Sequence, residues 1–258
     1  MISVIIPHYE LHDVLMKVCL WPLFMAGGYN EVIIVDNGSE HKFDNNVPFH
    51  VKRSDKRLSF AGACNLGAKD AKGDVLVFLN NDCQVVPGWQ AGIIKAFEDK
   101  KVAVVGAKML DMAGKVQHVG VKFGKYKLPY HPHLGEEDKG FKGIKDAVAL
   151  TGAFMAVRKA EFDALEGFFD YPGGNYEDVD FCLKTKEMGA KVKVSLDTVA
   201  YHIGGASYNL HPEEHTDLLV RRNWEILMDR WGDRPRKFFG IDSKSPILPR
   251  EQAWGLDK

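Results

Sequence analysis

Cysteine is scarce in this sequence, and the few cysteines present follow no metal-binding pattern. Cys19, Cys64, Cys83 and Cys182 stand far apart, and no two of them form a C-x-x-C pair. Zinc and haem sites rely on closely spaced cysteines and histidines, so neither kind of site is indicated. Cysteines without a disulfide framework are typical of reduced proteins, and we predict a cytoplasmic location.

Long hydrophobic runs and an excess of one charge are also missing. The formal net charge is −1, so no global basic field exists to attract nucleic acid or an anionic membrane. No apolar run approaches the roughly 20 residues that a membrane-spanning helix needs. The chain opens directly on the apolar segment Ile2–Ile6, without the features of a secretory leader. We therefore expect no transmembrane segment, and we expect any membrane contact to be peripheral.

The composition is that of a globular domain, and strands alternate with helices along the first half. The 258 residues are 45% hydrophobic, which suits one large domain with a substantial core. Apolar runs and helical spacing predict strands over Ile2–Pro7, Val32–Val35, Phe49–Val51 and Asp74–Leu79, and a helix over Phe60–Lys69. This alternation predicts an α/β fold, with a mostly parallel central sheet and helices on both faces.

The second half has a different pattern, which predicts a smaller antiparallel part. The predicted elements are an antiparallel strand over Val116–Phe123, a long loop over 124–146, a strand over Ala153–Val157, a helix over Tyr176–Met188 and a strand over Lys191–Ser195. Val220, Trp224, Leu227 and Trp231 mark one face of a last helix. We predict a single domain over 1–231, with halves at 1–100 and 101–231, and a C-terminal surface tail over 232–258.

Polar segments follow three of the predicted strands. They are Pro7-His8-Tyr9, Asp36-Asn37-Gly38 and Asn80-Asn81-Asp82. Ligands of parallel α/β sheets bind beyond the carboxyl ends of the strands. We therefore expect these segments to converge on one crevice that binds a ligand.

Four segments, taken in order, carry a resemblance to a known family. They are Val4-Ile5-Ile6-Pro7-His8-Tyr9, Val35-Asp36-Asn37-Gly38-Ser39, Phe78-Leu79-Asn80-Asn81-Asp82 and Tyr176-Glu177-Asp178-Val179-Asp180. Their order and spacing resemble the inverting family-2 glycosyltransferases, which have the GT-A fold. The Asn-Asn-Asp form and the late His-x-x-x-x-Ser are most similar to the rhamnosyltransferase-like branch. The resemblance implies that 1–100 binds a nucleotide-sugar and that 101–231 binds the acceptor.

The donor implied by the resemblance is a UDP- or dTDP-sugar. Asp36 can accept a hydrogen bond from the N3–H of uracil or thymine, although Asp-Asn-Gly-Ser also suits a plain turn. By resemblance, Pro7 and Tyr9 line the base and ribose pocket. We predict further donor contacts for Asn37, Asn65, Asn80 and Asn81. At Asn65 and its flanking glycines, simple helix–sheet packing is the alternative.

Asp82 is the key metal candidate, because hard divalent cations prefer oxygen ligands and bind diphosphate oxygens readily. The usual family motif is Asp-x-Asp, and Asn80 replaces its first carboxylate here. His202 resembles the family's late metal-ligand histidine, with a satisfied core histidine as the alternative. We predict Mn²⁺ or Mg²⁺ as cofactor, and an imidazole ligand favours Mn²⁺ somewhat.

The catalytic candidates lie at the start of a predicted helix. Carboxylates there complement the helix dipole, but Glu177, Asp178 and Asp180 exceed what capping requires. In family members with this Glu-Asp pair, the Asp is the general base that deprotonates the acceptor hydroxyl. We therefore predict that Asp178 is the base, that Glu177 positions acceptor or sugar, and that Asp180 is structural.

Other residues have weaker claims, and two rival functions stay open. We interpret Trp89 as a packed aromatic, and we interpret His118, His131 and His133 as loop residues. Arg221 and Arg222 suit either a diphosphate contact or a solvated helix face.

A nucleotidyltransferase normally has a Gly-rich basic N-terminal loop, which is missing here. A non-catalytic sugar-nucleotide or glycan-binding module does not need both Asp82 and Asp178. The acceptor stays open among polysaccharide, lipid-linked glycan, protein and modified nucleic acid.

Overall fold

The computed structural model describes residues 1–43, 47–124, 127–206, 210 and 216–242. Its strands are β1 (Ile2–His8), β2 (Glu31–Asn37), β3 (His50–Ser54), β4 (Val75–Leu79), β5 (Cys83–Val85), β6 (Val102–Leu110), β7 (Val116–His118), β8 (Lys122–Phe123), β9 (Pro129–Tyr130), β10 (Ile144–Asp146), β11 (Phe154–Arg158) and β12 (Lys191–His202). Its α-helices are α1 (His12–Val14), α2 (Trp21–Ala26), α3 (Phe60–Ala68), α4 (Trp89–Phe97), α5 (Lys159–Ala164), α6 (Glu177–Glu187) and α7 (Asp217–Trp231). A π-helical segment, Leu15–Leu20, joins α1 to α2, and a 3₁₀ turn, Arg236–Phe239, follows α7.

One mixed sheet organises the molecule, and its strand order is β10-β12-β6-β11-β4-β1-β2-β3, with β5 on β12 and β7 on β6. The run from β4 to β3 is parallel. Strand β11 lies antiparallel between β4 and β6 and begins the mixed second half. Helices pack on both faces. This arrangement confirms the α/β fold predicted from the alternation of apolar segments.

Side chains of β1 alternate between two cores, one on each face of the sheet. Ile5 belongs to the core that includes α3 and α6, whereas Val4 and Ile6 belong to the core that includes α2 and α4. All three are fully buried. Strands covered on both faces read as continuous apolar runs, which is why Ile2–Pro7 was recognisable as a strand.

The parallel register brings polar strand ends to one edge of the sheet. Pro7 lies opposite Val35 and His8 lies opposite Asp36, while Asn80 directly follows β4.

Strand β12 runs further than the predicted Lys191–Ser195. A bulge between Ser195 and Val199 interrupts its pairing with β6, which then resumes. The alternation is lost at the bulge, so the sequence pattern hid the second part of the strand.

The region predicted as one strand followed by a long loop is more structured than expected. The segment Val116–Phe123 divides into β7 and β8 around Gly120, whose φ of 106° lies outside the range of a normal strand. Strands β9 and β10 lie within the predicted loop 124–146. The buried Lys108 Nζ donates a hydrogen bond to the Asp138 carboxylate at 2.6 Å, which connects this region to β6.

Among the described residues, no helix has the length and apolarity to cross a membrane.

The start of the segment predicted as a surface tail packs on the core instead. Phe239 is fully buried, Ile241 is nearly so, and Phe239 makes an edge contact with Phe123. Burial of the apolar side chains of Phe238 and Phe239 therefore places this segment on the core, although prolines and charged residues surround it. Residues 243–258 lie outside the described part of the chain.

The contact between α6 and α7 centres on the buried carboxylate of Asp180. Its Oδ1 accepts hydrogen bonds from Trp231 Nε1 at 2.6 Å, Arg230 Nε at 2.7 Å and Tyr171 OH at 3.3 Å. Asp180 is fully buried, whereas Arg230 keeps partial access to solvent. The carboxylate therefore links two helices and the segment that precedes α6.

Replacing Asp180 with Ala should destabilise the fold strongly. The change leaves a cation and two buried donors without their acceptor, and breaking such a buried pair typically costs about 3–5 kcal/mol. Urea unfolding followed by circular dichroism measures the loss. The control is Glu187→Gln in the exposed Arg234–Glu187 pair, which should cost less than about 1 kcal/mol. Equal small losses in both variants would contradict the role given to Asp180.

Candidate functional site

An open cavity of about 640 Å³ lies at the carboxyl ends of β1, β2 and β4. Most of the predicted site residues line it: Pro7, Tyr9, Asn37, Asn80, Asn81, Asp82, Glu177, Asp178 and His202. Asp36 and Asn65 are not among the lining residues. The cavity therefore joins the strand ends of the first half to the start of α6 in the second.

Asp82 and His202 meet although 120 positions separate them, because β12 ends beside β5. The pairing places His202 opposite Cys83, and His202 Nε2 lies 3.1 Å from Asp82 Oδ1. The other oxygen of Asp82 accepts the Gly204 N–H at 3.1 Å. Both side chains are largely buried, with 5% of Asp82 and 15% of His202 exposed. A carboxylate oxygen and an imidazole nitrogen thus converge at one end of the cavity.

This donor set fits a divalent cation. Ligand atoms of Asp82, Cys83 and His202 lie within 4.8 Å of one another. Cys83 is the weakest member, because its buried Sγ contacts the Ala153 carbonyl at 3.3 Å and burial raises the pKa of the thiol. One oxygen and one nitrogen ligand suit Mn²⁺, with further positions left for diphosphate oxygens. Asp82 and His202 are thus the residues that would hold the cation.

The wall formed by β1 and β2 is braced from behind by Asn37. Its side-chain oxygen accepts the Leu58 N–H at 2.8 Å and its amide donates to the Leu58 carbonyl at 2.9 Å. This pair fixes the loop that carries Arg57 into the cavity, and the Arg57 guanidinium lies 4.3 Å from the centre of the Tyr9 ring. Sequence reasoning missed Arg57, since no motif marks a lone loop arginine.

Asp36 does not face the cavity as predicted, and it is only 1% exposed. It forms an ion pair with Arg53 and accepts the N–H groups of Ser39 and Phe43. Burial opposes its ionisation, but these hydrogen bonds outweigh burial and hold its pKa below the ordinary value. Asp36 therefore organises the turn behind the wall, which corrects the expectation of a direct base contact.

Asn65 is also placed differently from the prediction. Its amide donates to the Phe168 carbonyl at 2.9 Å and its oxygen accepts the Phe168 N–H at 2.9 Å. These reciprocal bonds join α3 to the loop after α5 and use both ends of the side chain. The packing alternative is therefore the correct one at this position.

Asn81 contacts His8, which belongs to the converging segment Pro7-His8-Tyr9 and also lines the cavity. Its amide nitrogen lies 3.1 Å from His8 Nδ1, and burial lowers the pKa of His8 to about 3. His8 is therefore a neutral ring at neutral pH. Trp89 is a packed aromatic as interpreted, with its indole bonded to the Gly27 carbonyl. Arg221 pairs with Glu225, which favours the solvated helix face.

The carboxylate of Asp178 lines the same cavity and is held by backbone N–H groups. Asn175 and Tyr176 have φ of 76° and 72°, so the chain turns sharply just before α6 begins. Asp178 Oδ2 accepts the Gly152 N–H and Oδ1 accepts the Val179 N–H, both at 2.7 Å. Burial raises the pKa of Asp178, and the two backbone donors oppose that rise. The result is a fixed, ionisable carboxylate with poor solvation, as a general base requires.

Glu177 stands beside Asp178 in a different state. Burial, followed by the neighbouring Asp178 charge, raises the pKa of Glu177 to about 8. Its Oε2 has no hydrogen-bond partner among the described residues. At neutral pH Glu177 therefore keeps its proton and can donate a hydrogen bond into the cavity.

One of the histidines interpreted as loop residues, His131, lines the cavity, and another, His118, lies behind it in β7. His118 lies in β7 and is buried, and its Nδ1 is 2.9 Å from His131 Nδ1. Burial lowers the pKa of both rings, and the Asp178 charge partly opposes this for His131. His131 lines the cavity on the side of the catalytic candidates. No sequence spacing links these residues, since the contact depends on the fold of 124–146.

Comparison with known proteins assigns the family. A model described as glycosyl transferase family 2 matches residues 3–163, which is more than half of the chain. The chain belongs to glycosyl transferase family 2, which confirms the family predicted from the four segments. The rhamnosyltransferase-like branch stays a prediction, and Ser207, which completes its late motif, lies outside the described residues.

Individual relatives agree with this assignment. The O-antigen biosynthesis protein RfbC of Myxococcus xanthus is 29% identical over 226 residues, which are 80% of this chain and 17% of that protein. The chain spans less than half the length of the curated relatives that it matches.

Two solved structures confirm the GT-A fold. GalNAc-T7 with UDP, GalNAc and Mn²⁺ has a TM-score of 0.70 at 17% identity, over 91% of this chain and 48% of that one. The mannosyltransferase PcManGT of Pyrobaculum calidifontis, in complex with GDP-Man and Mn²⁺, has a TM-score of 0.63 at 16% identity, over 93% and 67%.

Because the folded protein raises the pKa of Glu177, we predict that the contribution of Glu177 lowers the free energy of unfolding as pH rises. The carboxyl has an ordinary pKa of 4.5, and the folded protein shifts it to about 8. Between these values the folded state holds a proton that the unfolded state lacks, so the free energy of unfolding falls as pH rises. Relative to Glu177→Gln, the wild type should lose on the order of a few kcal/mol across this interval.

Urea unfolding at several pH values measures the effect. The matched control is Glu98→Gln, at an exposed position beyond α4, which should leave the wild-type pH profile unchanged. Parallel profiles for the wild type and Glu177→Gln would show that Glu177 ionises normally in the folded protein.

Proposed function

We propose that this protein is an inverting glycosyltransferase that moves a sugar from a UDP- or dTDP-sugar to an acceptor hydroxyl, with Mn²⁺ or Mg²⁺ as cofactor. The observation that carries the proposal is that a single cavity is lined both by Asp82 and His202 and by Glu177 and Asp178. The first pair suits a diphosphate with its cation, and the second suits a hydroxyl nucleophile. In a nucleotide-sugar the anomeric carbon is bonded to a diphosphate oxygen, so one donor in this cavity can present its diphosphate to the first pair and its anomeric carbon to the hydroxyl nucleophile.

The donor end supports a metal-assisted leaving group. Asp82 and His202 would hold the cation, and a bound cation supplies neutralisation of the charge that develops on the leaving diphosphate. Pro7, Tyr9, Asn37, Asn80 and Asn81 form the wall beside it. The likeness to structures that contain UDP or GDP-Man with Mn²⁺ supports a nucleotide-sugar donor. The preference for a pyrimidine base rests on the family resemblance, because Asp36 is occupied by Arg53.

The acceptor end supports base catalysis by Asp178. Asp178 removes the proton of the acceptor hydroxyl as its oxygen forms a bond to the anomeric carbon. The bond from that carbon to the diphosphate oxygen breaks on the opposite side, and the nucleoside diphosphate leaves with the electron pair. A single displacement of this kind inverts the anomeric centre. Protonated Glu177 donates a hydrogen bond that positions the acceptor or the sugar.

The acceptor is proposed at the level of class. The similarity to a protein of O-antigen biosynthesis favours a glycan, polymeric or lipid-linked, over protein or modified nucleic acid. A cytoplasmic location and peripheral membrane contact suit such an acceptor and stay part of the proposal.

Donor binding should require both the cation and Asp82. A nucleotide at 100 times its Kd stabilises the native state by about 2.7 kcal/mol, which a thermal-shift assay detects. In the wild type, UDP or dTDP should raise Tm with Mn²⁺ present and far less without it. In Asp82→Ala the Mn²⁺-dependent part should vanish, because the carboxylate ligand is lost.

The control for Asp82 is Asp99→Ala, which removes an exposed carboxylate paired with Lys191 outside the cavity. It should keep the full Mn²⁺-dependent shift. GDP as the best ligand of the wild type would contradict the pyrimidine donor. An unchanged shift in Asp82→Ala would contradict the metal assignment.

Replacing Asp178 with Asn should separate chemistry from binding. The amide keeps the shape of the side chain but cannot take the hydroxyl proton, and general-base catalysis is typically worth about 10²–10⁴-fold. The turnover number for sugar transfer should fall by that order, while the thermal shift with UDP and Mn²⁺ stays unchanged.

The matched control is Asp163→Asn, on the exposed side of α5, which should transfer sugar at the wild-type rate. Loss of transfer in Glu177→Gln, with Asp178→Asn near normal, would move the base to Glu177. Normal transfer in both variants would remove this pair from the mechanism. Donor binding without any transfer or hydrolysis in the wild type would favour the non-catalytic binding module.

A further inference from the structure

Strand β7 presents Gln117 to the metal-ligand candidate His202 through two hydrogen bonds. Gln117 Nε2 donates to the backbone carbonyl of His202 at 2.9 Å. Gln117 Oε1 lies 3.0 Å from His202 Nδ1. One side chain thus contacts both the main chain and the ring of the same residue. Neither the four motif segments nor the predicted site residues include Gln117.

The first hydrogen bond determines the second. A backbone carbonyl can only accept, so the end of the Gln117 amide that faces it must be the NH₂ group. The other end, which faces His202 Nδ1, is therefore the amide oxygen. An amide oxygen also only accepts, so Nδ1 must carry a proton. The two contacts together establish one orientation of Gln117 and a protonated Nδ1 on His202.

With the proton of a neutral ring on Nδ1, His202 Nε2 keeps a lone pair. That nitrogen faces the cavity end where Asp82 Oδ1 lies at 3.1 Å, and the amide nitrogen of Asn80 approaches it at 3.4 Å. The Asp82 oxygen can only accept, so a lone pair on Nε2 and this oxygen need a cation between them, which is the position proposed for the metal. Metal ions bind the deprotonated ring nitrogen, and a hydrogen bond from the other nitrogen selects which one it is.

The sheet holds the two partners at a fixed separation. Strand β6 lies between them, with Leu110 opposite Val116 of β7 and also opposite Tyr201 of β12. Gln117 and His202 directly follow these two positions in their strands. The contact therefore joins residues on strands that flank the same neighbour, and it does not depend on a loop conformation.

We propose that Gln117 is a positioning residue that fixes the ring orientation and the tautomer of His202, so that Nε2 is ready to bind the divalent cation. This inference rests on the proposed metal-assisted function, but the orientation and tautomer of the His202 ring can be measured without a metal. Removing Gln117 should release the ring and weaken cation binding without removing a ligand. Outer partners of this kind typically contribute about 10- to 100-fold in metal affinity.

The test uses the full chain with ¹⁵N-labelled histidine and the variants Gln117→Leu and Gln117→Glu. Two-bond ¹⁵N–¹H correlation spectra of the metal-free protein report the tautomer of each ring, and His202→Asn assigns the signal. The wild type should show a proton on Nδ1 of His202. Gln117→Leu should lose this preference, whereas Gln117→Glu should keep it, because a carboxylate oxygen also accepts from Nδ1. A purely structural role for Gln117 does not predict this rescue.

Mn²⁺ alone is the probe for affinity, followed by electron paramagnetic resonance of the free ion. Gln117→Leu should raise the Kd about 10- to 100-fold relative to the wild type, and ¹⁴N coupling to the bound ion should weaken. The matched control is Gln90→Leu on α4, outside the cavity lining, which should keep the wild-type tautomer and Kd.

The possible outcomes distinguish the positioning role of Gln117 from the proposed metal-assisted function. An Nε2–H tautomer in the wild type, or a Gln117→Leu variant with unchanged tautomer and Kd, overturns the role of Gln117 while the proposed function stands. A wild type that has the Nδ1–H tautomer but binds no Mn²⁺ overturns metal assistance and therefore the purpose given to Gln117.

Discussion

The buried carboxylate of Asp180 is the interaction on which the catalytic end of the site depends. Successive residues of an α-helix are rotated by about 100°, so Asp178 and Asp180 point to nearly opposite sides of α6. Arg230, Trp231 and Tyr171 hold Asp180 from one side. The other side of the same turn must then face the cavity, and it carries Asp178. The hydrogen bonds of Asp180 in the core thus set the direction of the Asp178 carboxylate, which is itself held by two backbone N–H groups.

The donor end depends on the sheet in the same way. Asp82 follows the parallel strand β4, whereas His202 ends β12, which reaches β5 only because its pairing with β6 resumes after the bulge. A shift of one residue in β12 would turn His202 to the opposite face and separate it from Asp82. The two ends of the cavity are therefore set by different elements, α6 and β12. This explains why the site takes residues from both halves of the chain.

The parts of the molecule that follow from local pattern were predictable, and the parts that follow from distant contacts were not. Buried parallel strands read as apolar runs, so β1, β2 and β4 and their polar ends were found. Asp36 and Asn65 were misplaced because carboxylates and amides serve equally well to bind ligands and to brace loops, and only the fold shows Arg53 and Phe168 beside them. His131 and Gln117 were missed because their partners, His118 and His202, approach through tertiary structure. The second part of β12 was hidden by its bulge.

The charges around the cavity give a physical reason for a cation. Asp82 and Asp178 line it, and among the lining residues that the structure describes Arg57 is the one with a permanent positive charge. The Arg57 guanidinium lies over the ring of Tyr9, 4.3 Å from its centre. A diphosphate entering beside Asp82 would therefore meet a like charge in a poorly solvated place, where repulsion is strongest. A divalent ion between them converts that repulsion into attraction. Because Asn80 stands where the family motif has its first carboxylate, the orientation of His202 matters more here than where two carboxylates share the ion.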